Sequence, residues 1–471
     1  DAEEILAKGG DLTAAAERTI ADIGKAYEEL RDQALGEQIS KFAVDSADTG
    51  DLLLVRSTLA VLELWSAVHF ARKDRRWKAF RTPHALDYQN LVHLIRPRPE
   101  FENAMRGSDD ELRRRDGFKL TDDRGTMRDS LYEIDYCMIC HERAKDSCST
   151  GLLDPDGTPK RNPLGIKTEG CPLDERISEM HLLKKQGDSI GSLAIVTIDN
   201  PMCAGTGHRI CNDCMKGCIF QKQEPVNIPL AETASLTDVL NLPYGFQIYS
   251  LLTRWNPLNA KRPYALPYNG KNVLVVGLGP AGYTLSQYLL NEGFGVIGID
   301  GLKIEPLPAA WTGLRDGAAN EMPQPIKDIS EITEELDERI LSGFGGVSEY
   351  GITVRWDKNF LTMVQLMLSR RKQFRAYGGI RFGGTISIED AWTYGFDHIA
   401  IATGAGRPTI VPMKNNLIRG IRKASDFLMA LQLSGAFKKD TLSNLQVRLP
   451  AVVIGGGLTG IDTATEIFAY Y

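Results

Sequence analysis

Eight cysteines lie between Cys137 and Cys218, and residues 1–136 and 219–471 contain none. Their spacing is Cys137-x2-Cys140-x7-Cys148-x22-Cys171-Pro172, then Cys203-x7-Cys211-x2-Cys214-x3-Cys218. A CxxC pair puts two thiolates on one turn around a single metal centre. A following Cys-Pro completes the kind of run that holds iron–sulfur clusters in ferredoxin-like segments. Eight thiols make two sets of four, so two 4Fe–4S clusters are the favoured reading. Structural zinc is the alternative, but zinc ribbons separate their pairs by about 15–20 residues. Here 70 residues lie between the two CxxC pairs. Disulfides suit small secreted domains. This long chain opens on DAEEILAKGG, which has no basic stretch followed by an apolar one, so the thiols are expected to work as ligands in a reducing, cytoplasmic compartment.

Two glycine loops carry a second chemistry. Gly277-Leu278-Gly279-Pro280-Ala281-Gly282 follows the apolar run VLVV and opens the helical pattern YTLSQYLL. In such a loop the first glycine makes the tight turn and the second lets a pyrophosphate approach the backbone. The third lets helix pack on strand, and the helix N-terminus supplies N–H groups. Asp300 comes 18 residues after Gly282, at the end of GVIGI, where a carboxylate accepts hydrogen bonds from ribose hydroxyls. The competing reading is a phosphate-free turn of a βαβ unit. Gly455-Gly456-Gly457-Leu458-Thr459-Gly460 meets the same requirements after VVI. Only eleven residues follow Gly460. The residue that would choose NADH or NADPH is therefore missing, and the natural polypeptide is expected to continue. Flavin enzymes that reduce disulfides keep a cysteine pair beside the flavin, and none follows Cys218, which argues against that reaction.

Elements must position these groups, and 471 residues suggest about three domains. Apolar residues at 43% and charged residues at 25% give an ordinary globular balance. A net charge of −6 makes no field for gathering polyanions, so nucleic acid is not expected as a partner. No apolar run approaches the ~20 residues that span a bilayer. Residues 1–131 read as a helical N-terminal extension, with Ile20, Ile23, Ala26 and Leu30 at helical spacing and a more buried helix after it. The run ARKDRRWKAFR, residues 71–81, reads as a solvated helix end rather than a phosphate site. Residues 132–252 form the cysteine-bearing domain, residues 253–449 a Pro/Asn-rich linker and the first dinucleotide domain, and residues 450–471 the incomplete start of a second. The expected class is α/β: a helical N-terminal part and iron–sulfur domain, then one Rossmann-like unit and the beginning of another.

The combination of a Cys-Pro segment, GxGPAG, an ATG strand (Ala402-Thr403-Gly404) and GGGxT leading to Asp462 resembles the small, flavin-bearing subunit of bacterial glutamate synthase. The same module occurs in dihydropyrimidine dehydrogenase and in the large subunit of NADH-dependent reduced ferredoxin:NADP oxidoreductase. The resemblance covers about residues 132–471. It implies FAD at Gly277, Gly279, Gly282, Asp300, Thr403 and Gly404, and NAD(P)H at Gly455, Gly457 and Gly460. It also implies that Cys137, Cys140, Cys148 and Cys218 share one cluster, while Cys171, Cys211 and Cys214 hold the other. Glu232 matches the family's non-cysteine fourth ligand, whereas ligand chemistry favours Cys203 for that place. The family's first run is tighter than this one, where the loop STGLLDPDGTPKRNPLGIKTEG splits Cys148 from Cys171. The function implied is transfer of electrons between NAD(P)H, FAD and two clusters, and on to a partner domain or subunit. A non-catalytic assembly subunit with structural metal sites is the rival.

Overall fold

The computed structural model describes residue 81 and residues 83–471, apart from 110–114, 123, 144, 316–317, 320–321 and 340. The helices expected over residues 11–80 lie outside the described residues. Over residues 87–126, also expected within the helical extension, the described chain forms turns and an antiparallel pair, Leu94–Ile95 with Arg106–Gly107, and no helix. Pro97, Pro99 and the glycines at 107, 117 and 125 interrupt any helical run there. No helix among the described residues is long and apolar enough to cross a membrane.

The chain divides into two compact units, the first holding residues 1–86, 128–138 and 220–226, and the second holding the rest. In the first, helix α1 (Met127–Tyr136) stacks Tyr136 on Phe220, with ring centroids 4.6 Å apart. Arg81 donates to Glu133 and to Glu224 at 2.7 Å and covers the Tyr136 ring.

The second unit opens with a group of packed helices: α2 (Ile177–Lys185), α3 (Ser189–Asp199), α4 (Ile228–Leu240) and α5 (Gly245–Leu252). Asp188 caps α3 by accepting from the Gly191 N–H at 2.7 Å, and Asn227 caps α4 through the Leu230 N–H. Polar clasps inside the group include Lys184 to Asp238 at 2.5 Å and Ser192 to Ser235 at 2.9 Å. The stretch expected as a linker, residues 253–270, is pinned rather than loose. Asn256 is buried and donates to the Ala194 carbonyl at 2.6 Å, and Trp255 bridges to Tyr264.

A four-stranded parallel sheet follows. Its strands are β1 (Asn272–Val276), β2 (Gly295–Ile299), β3 (Phe374–Tyr377) and β4 (His398–Ile401), in the spatial order β3-β2-β1-β4. β1 lies at the centre, where Val273, Leu274, Val275 and Val276 are all buried, as an unbroken apolar run in a parallel sheet requires. Helices α6 (Pro280–Asn291) and α7 (Asn359–Ser369) pack with the sheet. The order and the parallel pairing are those of a Rossmann-like dinucleotide unit.

Further on, α8 (Ala424–Leu433) and α9 (Leu458–Tyr470) pack together over a core of Phe118, Val354, Phe427, Leu428 and Leu431. The strand expected before the second glycine loop is not formed. Residues 451–456 have no assigned secondary structure, and Val452 and Ile454 are exposed. Among the described residues no strand lies beside them, and a strand without a ladder has nothing to bury its apolar side chains against.

Candidate functional site

The first glycine loop assigns each of its glycines a distinct task. Gly277 ends β1 with φ +99°, and a methyl there would run into the Ala402 carbonyl. Gly282 begins the body of α6, and its own methyl would strike the Gly277 carbonyl. Gly279 is different. Its backbone is extended (φ −75°, ψ −170°), and a methyl would meet only Gly346 Cα at 3.7 Å and the Gly345 carbonyl at 3.9 Å, both ordinary contacts. The chain itself does not require glycine there, so the open space at the helix N-terminus fits the close approach of a phosphate. Asp300 ends β2 and holds the loop from below, accepting from the Leu278 N–H at 2.9 Å and the Leu302 N–H at 3.0 Å.

The loop has neighbours that its local spacing did not reveal. Gly345 donates to the Leu278 carbonyl at 3.2 Å, and Gly346 is so close that a methyl there would sit 2.8 Å from Gly279 Cα. Gly343, Gly345 and Gly346 all have positive φ, so the stretch can fold flat against the loop. It is anchored by a buried ion pair in which Arg339 grips Glu349 with two bonds of 2.8 Å. From the other side, β4 runs into Ala402, Thr403 and Gly404, which pass over Gly277. The structure therefore brings Gly277, Gly279, Gly282, Asp300, Ala402 and Thr403 together.

The second loop repeats the arrangement in part. Gly455 has φ +133°, Gly460 packs against the Gly455 carbonyl, and the space around Gly456 and Gly457 is open. Its helix, α9, is held by charges. Asp462 accepts from Arg355 Nε at 2.9 Å and from Thr353 at 3.2 Å, and Glu466 accepts from Arg115 at 2.9 Å.

The cysteines of the second unit fall into two neighbourhoods. Cys140 lies close enough to Cys218 and Asp146 that, after burial, their charges push its thiol up, and Cys148 donates to Asp146 at 3.5 Å. In the other neighbourhood, burial and then the charges of Glu232, Glu175, Cys171 and Cys211 push the Cys214 thiol well up. Cys171 is pushed up to about 11 by burial and then by Glu175. Glu232 rises through burial and Glu175, and Glu175 reaches about 7, mainly through burial. Asn200 donates to Glu232 at 3.3 Å. Four thiols, those of Cys171 and Cys211 half-buried and those of Cys203 and Cys214 buried, thus share one neighbourhood with Glu232 and Glu175, whose charges raise each of them after burial, a donor set that a cationic centre would relieve. Cys137 ends α1 in the first unit, its N–H bonded to the Glu133 carbonyl at 3.1 Å. Cys203 is buried with its thiol on Tyr249 Oη at 3.6 Å, and Tyr249 in turn donates to the Pro201 carbonyl. Glu175 was not foreseen. Its only signal in the sequence is its place four residues after Cys171.

The long excursion between Cys148 and Cys171 closes on itself. Leu152 pairs with Thr168 and Lys160, two further bridges tie Leu153 to Pro159 and Arg161 to Lys167, and Gly151 and Gly170 abut at positive φ. The Cys171 N–H consequently bonds to the Cys148 carbonyl at 2.9 Å. Twenty-two intervening residues leave the two cysteines side by side. A separate group, His141, Asp146 and Glu179, brings its ligand atoms within 4.8 Å of one another at the surface.

Residues 271–470 match the family model of the pyridine nucleotide-disulphide oxidoreductases. This segment is an FAD-dependent oxidoreductase domain. The match implies binding of FAD and NAD(P)H, and the matched residues contain no cysteine. An uncharacterised protein of Rickettsia prowazekii (strain Madrid E), RP006, is 51% identical over 270 residues, 57% of this chain and 37% of that protein. A second uncharacterised protein of the same organism, RP005, is 37% identical over 76 residues, 12% of this chain and 25% of that protein. The chain thus spans well under half the length of either relative. Among solved structures, the 6-hydroxypseudooxynicotine amine oxidase of Pseudomonas geniculata N1 shares 16% identity at a TM-score of 0.26, covering 54% of this chain and 29% of that one. A likeness that slight bears on neither fold nor function.

Proposed function

We propose that the FAD-dependent domain exchanges electrons between NAD(P)H and two 4Fe–4S clusters held by the cysteine segment, and through them with a partner domain or subunit, as in the glutamate synthase small-subunit family that the sequence resembles. FAD occupies the loop of Gly277, Gly279 and Gly282 with Asp300, Thr403 and Gly404. NAD(P)H occupies the loop of Gly455, Gly457 and Gly460. When bound, these groups supply hydride acceptance and single-electron carriage, while the protein supplies position and insulation.

The observation that carries the cluster reading is the gathering of Cys171, Cys203, Cys211 and Cys214 about Glu232 and Glu175. Glu232 is taken as the fourth ligand because the Cys203 thiol is engaged with Tyr249, although the Glu232 charge acts on Cys203 as it does on the other three thiols. Cys140, Cys148 and Cys218 hold the other cluster, with Cys137 completing the set through its CxxC spacing to Cys140. At the first loop, the N–H groups at the start of α6 receive the pyrophosphate, and Asp300 orients the ribose. Asp462 and Arg355 keep α9 aimed at its own phosphate. The test is elemental analysis of anaerobically purified protein. About eight iron and about eight acid-labile sulfide per chain are expected. Stoichiometric zinc without sulfide would overturn the cluster reading.

A further inference from the structure

Helix α6 of the first glycine loop sends a side chain to a short stretch of the cysteine segment, and Arg355, which holds helix α9 of the second loop, bonds to the same stretch. Tyr283 follows Gly282 on α6, is fully buried, and donates its hydroxyl to the Gly205 carbonyl at 3.3 Å. Its ring stacks near Phe344, centroids 6.0 Å apart, and Phe344 stands between Gly343 and Gly345 in the stretch that backs Gly279. Gly205 has no spare room, because a methyl there would lie 2.5 Å from Tyr283 Oη and 3.0 Å from Cζ. At the other end, Arg355, which holds Asp462 of α9, also donates to the Arg209 carbonyl.

Gly205 and Arg209 both lie between Cys203 and Cys211. This stretch is fastened along its length to the cysteine pocket: Ala204 N–H to Tyr249 Oη at 3.2 Å, Asn200 to Thr206 at 2.8 Å, and His208 N–H to Thr233 at 2.9 Å. Thr233 is the residue after Glu232, and Asn200 is the donor to Glu232 itself. A tilt of α6 at its phosphate end therefore moves Gly205, and a loosening of the Cys203–Cys211 stretch releases Tyr283.

We propose that Tyr283 is a positioning residue that couples FAD binding at the first loop to closure of the Cys203–Cys211 stretch over the cysteine pocket. The proposal rests on the assignment of FAD to the loop of Gly277, Gly279 and Gly282. Coupling of this kind is reciprocal: FAD tightens the stretch, and the closed stretch tightens FAD. It gives a chain with separate cofactor sites a means of filling them together.

The test uses the full chain, freed of flavin and of any metal held by the cysteines, so that the Cys211 thiol is free to react. FAD affinity is read from flavin fluorescence, and opening of the stretch from the rate of Cys211 alkylation by N-ethylmaleimide, followed by mass spectrometry. Saturating FAD should slow alkylation about fivefold in wild type, the equivalent of one net hydrogen bond. Tyr288→Phe removes another hydroxyl of α6, bonded to the Asp199 carbonyl at 3.0 Å, and should behave like wild type. Tyr283→Phe should bring the slowing below about twofold while keeping its circular dichroism spectrum. From the other side, Gly205→Ala should weaken FAD binding about tenfold by overpacking. Adding Tyr283→Phe, which deletes the atom nearest the new methyl, should restore part of that loss. Equal slowing in wild type and Tyr283→Phe overturns the coupling, as does unchanged FAD affinity in Gly205→Ala. If wild type binds no FAD, the assignment of the first loop fails as well; if it binds FAD one-to-one with no change in alkylation, the coupling alone fails.

Discussion

Replacing Gly279 by Ala separates the chain's own needs from those of its ligand. In the protein without ligand the new methyl meets only Gly346 Cα at 3.7 Å, and φ −75° with ψ −170° is ordinary for alanine. The melting temperature of flavin-free protein should therefore stay within a degree or two of wild type, since a substitution that creates neither clash nor cavity changes stability by less than about 0.5 kcal/mol. The methyl fills the space a pyrophosphate must enter. Losing one or two charge-assisted N–H to phosphate bonds at about 1.5–3 kcal/mol each weakens FAD binding by roughly ten- to twenty thousand-fold. Gly282→Ala inverts the result. Its methyl strikes the Gly277 carbonyl, so helix and strand must separate and the flavin-free fold itself should lose about 1–3 kcal/mol. The assays are thermal melts of flavin-free protein and fluorescence titration with FAD. They must be kept apart, because bound FAD raises the melting temperature by mass action. Wild-type FAD affinity in Gly279→Ala would refute the phosphate assignment, and a large loss of stability in that variant would refute the argument from open space.

Three further outcomes follow from the same geometry. Gly457→Val should keep FAD but lose bleaching of the flavin band by NADH or NADPH, read by stopped-flow; normal bleaching, or loss of FAD, would show that the two loops have been assigned the wrong way round. Cys203→Ser should leave the electron paramagnetic resonance signals of both clusters in place while Glu232→Ala alters one of them, and the reverse pattern would return Cys203 to the ligand set. Arg339→Met should cost about 3–5 kcal/mol at neutral pH, because it strands a buried Glu349 carboxylate. Burial alone would raise that carboxyl, but Arg339 holds it below its ordinary value. The pair's contribution is therefore present above the unfolded carboxyl's titration near pH 4.3 and lost as pH falls through the lower folded value. In the variant the unpaired carboxyl is raised, so its penalty appears as pH rises and vanishes on acidification. The gap in melting temperature between the two proteins should narrow from pH 7 to pH 4, and a constant gap would refute the pairing as its cause.

What the sequence showed best was local. Gly277, Gly279, Gly282, Asp300 and the run at 402–404 carry their meaning in spacing, because a strand, a turn and a helix start are built from neighbours in the chain. The glycines at 343–346 carry no such meaning, since their partner is Gly279, more than sixty residues away. Arg355, Tyr283 and Glu175 were hidden for the same reason. Each is an ordinary residue by type and acquires a role only from a carbonyl, a carboxylate or a thiol that folding brings to it. Cys148 and Cys171 show the converse. The loop that splits them departs from the tighter run of the family the sequence resembles, yet a loop that pairs with itself spends its length without changing where its ends lie.

The triplet before Gly455 marks the boundary between these two kinds of information. Val452, Val453 and Ile454 have the composition of a core strand, and the glycine loop after them folds as the pattern demands, with Gly455 at φ +133° and Gly460 against its carbonyl. Turn and helix form because their partners lie within ten residues. A strand is stabilised by hydrogen bonds and side-chain pairs on an adjacent strand, and among the described residues that neighbour is missing for residues 451–454. β1 has the same composition but lies between β2 and β4, and its four apolar residues are buried where Val452 and Ile454 are exposed. Apolar sequence sets the capacity to form a central strand. The ladders on either side convert that capacity into structure.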